Sequence, residues 1–245
     1  MNYAIIVAGG VGSRMGHDIP KQFIEVEGKT VLAHTLENFE KHPMVHAIGV
    51  VCIDGWLDQV LDYADKYKLT KFKWVIKGGN TVQESIRNGV EKLKDELKSG
   101  ELKDKLTANE LNVIIHDGIR PLVDSDVLTD VINTCEKYGN GVSSLPYNEQ
   151  IFVVADEIST TSYIPRETLR RVSTPQAYKL DKLVWAYDKA FKEEIGIYGS
   201  SYTNTMMVEL GERLFFAKGS DKNIKLTTPD DLEIFKGYLN GRKQG

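Results

Sequence analysis

The residues best suited to chemistry stand near the start of the chain. There the apolar run Tyr3-Ala4-Ile5-Ile6-Val7 passes into Ala8-Gly9-Gly10-Val11-Gly12-Ser13-Arg14-Met15, followed by Pro20-Lys21-Gln22-Phe23. Glycines after a buried strand let backbone N–H groups approach a bound anion, because no Cβ blocks the way. Arg14 and Lys21 bring two cations to the same anion. Together they describe a site for a polyphosphate whose charge is neutralised while it reacts. A purely structural tight turn and a dinucleotide site are the alternatives. Gly10-x-Gly12 fits the dinucleotide fingerprint G-x-G-x-x-G, but its third glycine is Met15. The chain about 20 residues further on reads Gly28-Lys29-Thr30, without the acid that would close a second strand. A Walker A run is absent as well.

A second set is Val113-Ile114-Ile115-His116-Asp117-Gly118-Ile119-Arg120-Pro121. A buried strand that ends in an acid sets a carboxylate at the mouth of the sheet, where it can hold a hard divalent cation. Asp117 is the candidate ligand for Mg²⁺, with a helix or turn cap as the structural alternative. His17, His34, His42 and His46 show no partner spacing for His116, which reads as a hydrogen-bond-satisfied neighbour of the site. A third set, Lys222-Asn223-Ile224-Lys225-Leu226-Thr227-Thr228-Pro229-Asp230-Asp231-Leu232, contains a helix start at Thr228-Pro229-Asp230-Asp231 and places Lys225 on a strand before it. In a fourth, Gly78-Gly79-Asn80-Thr81-Val82-Gln83-Glu84-Ser85, a glycine turn enters a helix. Its amides and the Ser85 hydroxyl could read the polar edge of a base, or form a plain connection.

These groups need a scaffold that gathers them at one edge. Strands are expected at Tyr3 to Ala8, Ala47 to Cys52, Lys73 to Ile76 and Val113 to His116. Helices are expected at Val31 to Glu40, Trp56 to Tyr67, Thr81 to Leu97 and Ser125 to Tyr138. The alternation predicts an α/β fold, a mostly parallel, Rossmann-like sheet covered by helices on both faces, with ligands beyond the carboxyl ends of the strands. From about Tyr147 to Arg171 the rhythm breaks into Phe152-Val153-Val154 and Thr160-Thr161-Ser162-Tyr163-Ile164. This reads as a protruding β-arm whose apolar edges are covered by the same arm of a second chain, hence a homodimer. The charged stretch from Lys98 to Thr107 reads as a solvated turn.

The 245 residues suit one domain spanning 1–245. Hydrophobic residues at 41% and charged residues at 27% are ordinary for a globular protein, and a net charge of −4 argues against nucleic acid as a partner. Cys52 and Cys135 read as small core residues. The chain shows neither a signal-peptide pattern nor an apolar run of membrane-spanning length, so no membrane partner is expected and the cytoplasm is the expected compartment.

In order and separation the four sets, joined by Thr174-Pro175-Gln176, resemble the methylerythritol phosphate and ribitol phosphate cytidylyltransferases. Their pattern runs A-G-G-x-G-x-R-M, P-K-Q, G-G-x-x-x-x-x-S, H-D-x-x-R-P, T-P-Q and N-I-K-x-T-x-P-x-D-L, matched here from Ala8 to Leu232. The resemblance implies a nucleotidyltransferase that moves CMP from CTP to the phosphate of a small polyol and releases pyrophosphate, with Mg²⁺ as cofactor. It implies that Arg14 and Lys21 bind the triphosphate and stabilise the transition state, and that Lys225 meets the α-phosphate. It also assigns Ala8, Gly9, Gly10 and Gly12 to the phosphates, Gly78, Gly79 and Ser85 to the cytosine, Gly118 to the ribose and Asp117 to the metal side. Arg120, and Arg166 from a partner subunit's arm, would hold the acceptor phosphate.

The chain departs from that pattern where the acceptor binds. An arm that begins P-V-x-D-T in the family is here Pro146-Tyr147-Asn148-Glu149-Gln150, so Glu149 and Gln150 replace an Asp-Thr pair. The T-D-D/E-A segment appears as Tyr202-Thr203-Asn204-Thr205, and the arginine of the base turn is Val82. These changes favour ribitol or glycerol phosphate, destined for a surface polysaccharide such as capsule or teichoic acid, over methylerythritol phosphate of isoprenoid synthesis. The rival readings are a transferase using another nucleotide or a sugar phosphate, and a nucleotide-binding module without catalysis.

Overall fold

The computed structural model describes residues 1–10, 19–100, 102–103, 107–199 and 202–243. Strand β1 (Asn2–Ala8) is buried along nearly its whole length, as a strand flanked on both faces must be. A small hairpin of β2 (Glu25–Val26) and β3 (Lys29–Thr30) turns through Glu27 and Gly28, both at positive φ. Then follow α1 (Val31–Lys41), β4 (Ala47–Cys52), α2 (Leu57–Lys66), β5 (Phe72–Lys77), α3 (Val82–Ser99), β6 (Asn112–Asp117), α4 (Ser125–Tyr138) and β7 (Asn140–Pro146). Beyond these lie β8 (Ile151–Val154), β9 (Thr160–Ile164), β10 (Arg170–Lys179), α5 (Leu180–Glu193), α6 (Thr203–Glu209), β11 (Phe216–Lys218) and α7 (Pro229–Lys243). Local chemistry sets several boundaries. Thr30 caps α1 by accepting from the Ala33 amide, Thr81 caps α3 by accepting from Glu84, and Gly139 ends α4 in the left-handed region.

The main sheet has the order β11-β7-β10-β6-β1-β4-β5. β5, β4, β1 and β6 pair in parallel, β10 runs antiparallel to both β6 and β7, and β11 pairs in parallel with β7. The period-2 alternation of β1 divides its side chains between two cores. Ala4, Ile6 and Ala8 pack with residues of α1, α2 and α4, such as Leu36, Val60 and Val131. Tyr3 and Ile5 pack on the other face with α3 and α5, through Val90, Leu93, Leu183 and Tyr187. Helices therefore cover both faces, as the sequence predicts. The chain runs from β1 outward through β4 to β5, then crosses back to β6 on the other side of β1. Its topological switch lies at the carboxyl end of β1, where ligands of such sheets bind.

The expected arm is a separate two-stranded sheet of β8 and β9. Phe152 is 54% exposed, Tyr163 68% and Val154 77%, so the described residues of the chain leave its apolar side chains largely uncovered. Cys52 and Cys135 are buried free thiols, as expected, and burial pushes both up to about 12. One expectation is corrected. Lys225 does not lie on a strand; residues 223–227 are irregular, joined to the 117–120 turn by a single backbone bond from Leu226 to Ile119. The Lys98 to Thr107 turn falls partly outside the described residues.

Candidate active site

Strand register explains why residues far apart in sequence meet at one edge. Val7 is level with Asp117, Ala8 with Cys52, and Cys52 with Lys77. Gly9, Gly78 and Gly118 therefore all fall in the first position beyond their strands at the same edge of the sheet, Gly9 and Gly118 on the adjacent β1 and β6 and Gly78 on β5, beyond β4. The Gly78 amide donates to Cys52 O at 2.8 Å, and the Gly118 amide donates to Val7 O at 2.8 Å. A Cβ on Gly118 would stand 3.1 Å from Val7 O, and one on Gly9 would stand 3.2 Å from Ser85 Oγ. A side chain at either position would crowd its neighbours, Val7 O and Leu32 at Gly118 and Ser85 at Gly9.

Ser85 is the link between the first and second glycine turns. Its Oγ donates to Thr81 O at 2.8 Å, accepts from Gly79 N at 3.1 Å, and would lie 2.8 Å from a Cβ on Gly78. The hydroxyl's proton is thus committed to the turn itself, and it shapes the pocket by holding Gly79 in place. Gln22, to which sequence reasoning assigned no role, braces the first turn. Buried at the start of a short 3-10 turn (Lys21–Phe23), it donates through Nε2 to Ala8 O at 2.8 Å and to Gly10 O at 3.1 Å. Phe23 stacks on Trp56 and anchors the same turn, which fixes the backbone of Lys21 beside the glycine loop. Gly12 and Arg14 lie outside the described residues.

The structure brings Asp117, Arg120 and Lys225 together. Arg120 Nε donates to Asp117 Oδ2 at 2.8 Å, and Lys225 Nζ lies 3.4 Å from the same oxygen. Burial alone would raise the Asp117 carboxyl, but Lys225 and Arg120 outweigh it and hold the group down at about 2. A closed ring of bonds then fixes the set. Arg120 Nη1 donates to Asn223 O at 2.7 Å, Asn223 Nδ2 donates to Thr174 O at 2.7 Å, and the Asp117 amide donates to Thr174 Oγ1 at 3.1 Å. Neither Thr174 nor Asn223 was assigned a function from sequence, although both sit inside quoted motifs.

His116 is only half satisfied, which corrects the expectation. Its Nε2 donates to Arg120 O at 3.1 Å, so the proton resides there, while the buried Nδ1 has no hydrogen-bond partner among the described residues. Burial lowers the imidazole to about 4, and it stays neutral, packed 5.0 Å from the ring of Phe39.

The proposed acceptor residues divide into two groups. Arg120 belongs to the Asp117 set. Arg166 is on the arm, where Nη1 donates to Asn148 O at 3.2 Å and where it shares a cavity with Gln150. Glu149 and Gln150 are exposed at the arm's root. Among the described residues no hydrogen bond or ion pair joins Arg166 to Arg120 or Lys225 within the chain.

Among the described residues no group of three or more His, Cys, Asp or Glu side chains could hold a metal ion, and no helix is long and apolar enough to cross a membrane. A lone ionised carboxylate still suits Mg²⁺, which keeps most of its waters and binds through one or two carboxylates together with substrate phosphates. Both cationic contacts of Asp117 use Oδ2.

A model of the 2-C-methyl-D-erythritol 4-phosphate cytidylyltransferase family matches residues 2–241. The chain belongs to this family. A ribitol-5-phosphate cytidylyltransferase of Lacticaseibacillus paracasei is 54% identical over 240 residues, 98% of each chain. A 2-C-methyl-D-erythritol 4-phosphate cytidylyltransferase of Clostridium acetobutylicum is 35% identical over 95% of this chain and 94% of its own. Among solved structures, the 4-diphosphocytidyl-2C-methyl-D-erythritol synthase of Anaerococcus prevotii superimposes with a TM-score of 0.78 over 98% of this chain and 96% of its own. At 22% identity that likeness speaks for the fold alone. Asp117, Arg120 and Lys225 stand where the family pattern has them, while the Glu149-Gln150 pair and the Tyr202-Thr203-Asn204-Thr205 segment depart from that pattern.

Proposed function

We propose that the protein transfers CMP from CTP to ribitol 5-phosphate, releasing pyrophosphate and forming a CDP-polyol. The observation that carries the reaction class is the convergence of Arg120 and Lys225 on the ionised Asp117, one strand from the Gly9-Gly10 turn. The name of the Lacticaseibacillus paracasei relative supports ribitol 5-phosphate as acceptor. The altered pair Glu149 and Gln150 agrees with an acceptor other than methylerythritol phosphate.

The acceptor phosphate is itself the nucleophile. Its oxygen attacks the α-phosphorus of CTP, and the bond to the bridging oxygen breaks as pyrophosphate leaves. No strong base is required; the protein must bring two anions together and neutralise the charge that develops. In this reading Lys225 meets the α-phosphate, Lys21 and Arg14 the triphosphate, and the amides of Gly9 and Gly10 its oxygens. Gly78, Gly79 and the Ser85-braced turn hold the cytosine, and Gly118 lies against the ribose. Asp117 would hold Mg²⁺, which would supply further charge neutralisation on the phosphates.

The reading also includes a homodimer formed through β8 and β9, whose exposed Phe152, Val154 and Tyr163 fit a second copy of the same arm. Arg166 of each arm then serves the other subunit's acceptor. Mixing an Arg166→Ala subunit with a Lys21→Ala subunit restores activity in the mixed dimers if the arm works across the interface. The cytoplasm is the proposed compartment.

The decisive experiment is pyrophosphate release with CTP and Mg²⁺ against ribitol 5-phosphate, methylerythritol 4-phosphate and glycerol phosphate, each repeated with UTP. Turnover confined to CTP and ribitol 5-phosphate is expected. Preference for methylerythritol phosphate or UTP would reassign the substrate. Silence across the panel with intact CTP binding would favour a module without catalysis.

A further inference from the structure

A cavity of about 320 Å³ lies beside the Asp117 set, between β10 and the segment that leads into α7. Its walls include Arg120 and Lys225, together with Arg171 and Ser173 from β10 and Asp221 from the facing loop. Arg170 lies with its guanidinium 5.6 Å over the ring of Phe216, while Arg171, Val172 and Ser173 all line the cavity, where the pairing of β10 with β7 becomes irregular.

The three cations of the cavity are committed to different degrees. Arg120 already uses Nε on Asp117 and Nη1 on Asn223 O. Lys225 lies against Asp117. Arg171 pairs with Asp221, and both side chains are open to solvent, 55% and 81% exposed. An ion pair so exposed contributes about 0–1 kcal/mol. A phosphate dianion therefore displaces the Asp221 carboxylate at small cost, and the planar guanidinium fork suits two phosphate oxygens. The cavity's other carboxylate, Asp231, does not compete, because its Oδ2 accepts from the Thr227 and Thr228 amides at 2.7 and 2.8 Å.

We propose that Arg171 is an acceptor-binding residue: the phosphorylated end of the polyol enters this cavity and takes over Arg171 from Asp221. The proposal rests on the polyol phosphate reading above and extends it to a residue outside the quoted motifs.

The test is steady-state kinetics of Arg171→Ala, Arg171→Lys and Asp221→Asn with CTP and ribitol 5-phosphate. Arg171→Ala is expected to raise the acceptor KM at least tenfold while leaving CTP affinity within twofold of wild type, and Arg171→Lys to recover part of the loss. Asp221→Asn, which removes the competing carboxylate, is expected to keep the acceptor KM at or below the wild-type value. An acceptor KM within twofold of wild type in Arg171→Ala overturns the proposal, as does an Asp221→Asn variant that loses acceptor affinity in parallel, since the pair would then be a structural strut. If wild type prefers another polyol phosphate, the acceptor assignment fails, and the same comparison with that compound decides Arg171. If wild type turns over no acceptor, calorimetric titration of ribitol 5-phosphate into enzyme saturated with a methylene analogue of CTP decides. Binding lost in Arg171→Ala supports the proposal; equal or absent binding overturns it.

Discussion

The Asp117 carboxylate accepts from Arg120 Nε at 2.8 Å, a contact made within one turn of chain between residues three apart. With Lys225 it keeps a mostly buried acid ionised, and it holds a mostly buried guanidinium in place; either group alone would be costly to desolvate. Asp117→Asn is expected to lower kcat at least a hundredfold, on the scale of about 3–4 kcal/mol of barrier for a lost electrostatic group in a closed site. Titrating Mg²⁺ against pyrophosphate release reads the effect, and wild-type turnover in the variant would remove Asp117 from the chemistry.

Asn223 holds the ring together from the far side. Asn223→Ala leaves Thr174 O, a partly buried acceptor, without its side-chain donor. The expected loss is about 1–3 kcal/mol of stability. Urea unfolding measures it, and a midpoint equal to that of wild type would mean that the ring is not under tension from this bond.

Gly78→Ala would set a methyl group 2.8 Å from Ser85 Oγ and push the hydroxyl away from Gly79 N. Overpacking of this kind costs about 1–3 kcal/mol. We expect a CTP dissociation constant at least tenfold higher with the overall fold kept. Unchanged CTP binding would show that the turn does not shape the nucleotide pocket.

His34 and His42 are both held below the ordinary value of 6.5 by burial. Below about pH 6.5 the unfolded chain takes up protons that the folded chain refuses, so stability is complete above that pH and declines as the pH falls through the window beneath it. The slope reaches about 1.4 kcal/mol per pH unit for each histidine in this state. Urea midpoints at pH 7, 6 and 5 should fall more gently in His42→Gln than in wild type; parallel slopes would exclude His42 as a contributor.

Much of this organisation was legible from residue types. The alternation of apolar runs gave β1, β4, β5 and β6 nearly to the residue, because parallel strands buried on both faces are continuous apolar segments bounded by turns. The glycine turns and Asp117 were readable for the same reason, since each follows such a strand directly. Pairings across long stretches of sequence were hidden. Nothing local announces that Gln22 reaches back to Ala8 and Gly10, or that Asn223 closes on Thr174. The antiparallel direction of β10 was hidden too, because a strand's residues record its burial and not its orientation. His116 misled in the opposite way: a buried histidine ordinarily has both nitrogens bonded, and here one is not.

The arm's two feet are neighbours, since Pro146 at the end of β7 pairs with Arg170 at the start of β10. To the sheet, everything between them is an insertion whose ends are already joined. Residues 147–169 are therefore free to drift in sequence and length without altering the register of any strand that carries the glycine turns or Asp117. A lineage can retool the side that chooses the acceptor while the nucleotide side is inherited whole. Substitutions that track the acceptor should accordingly gather on the arm and its two feet.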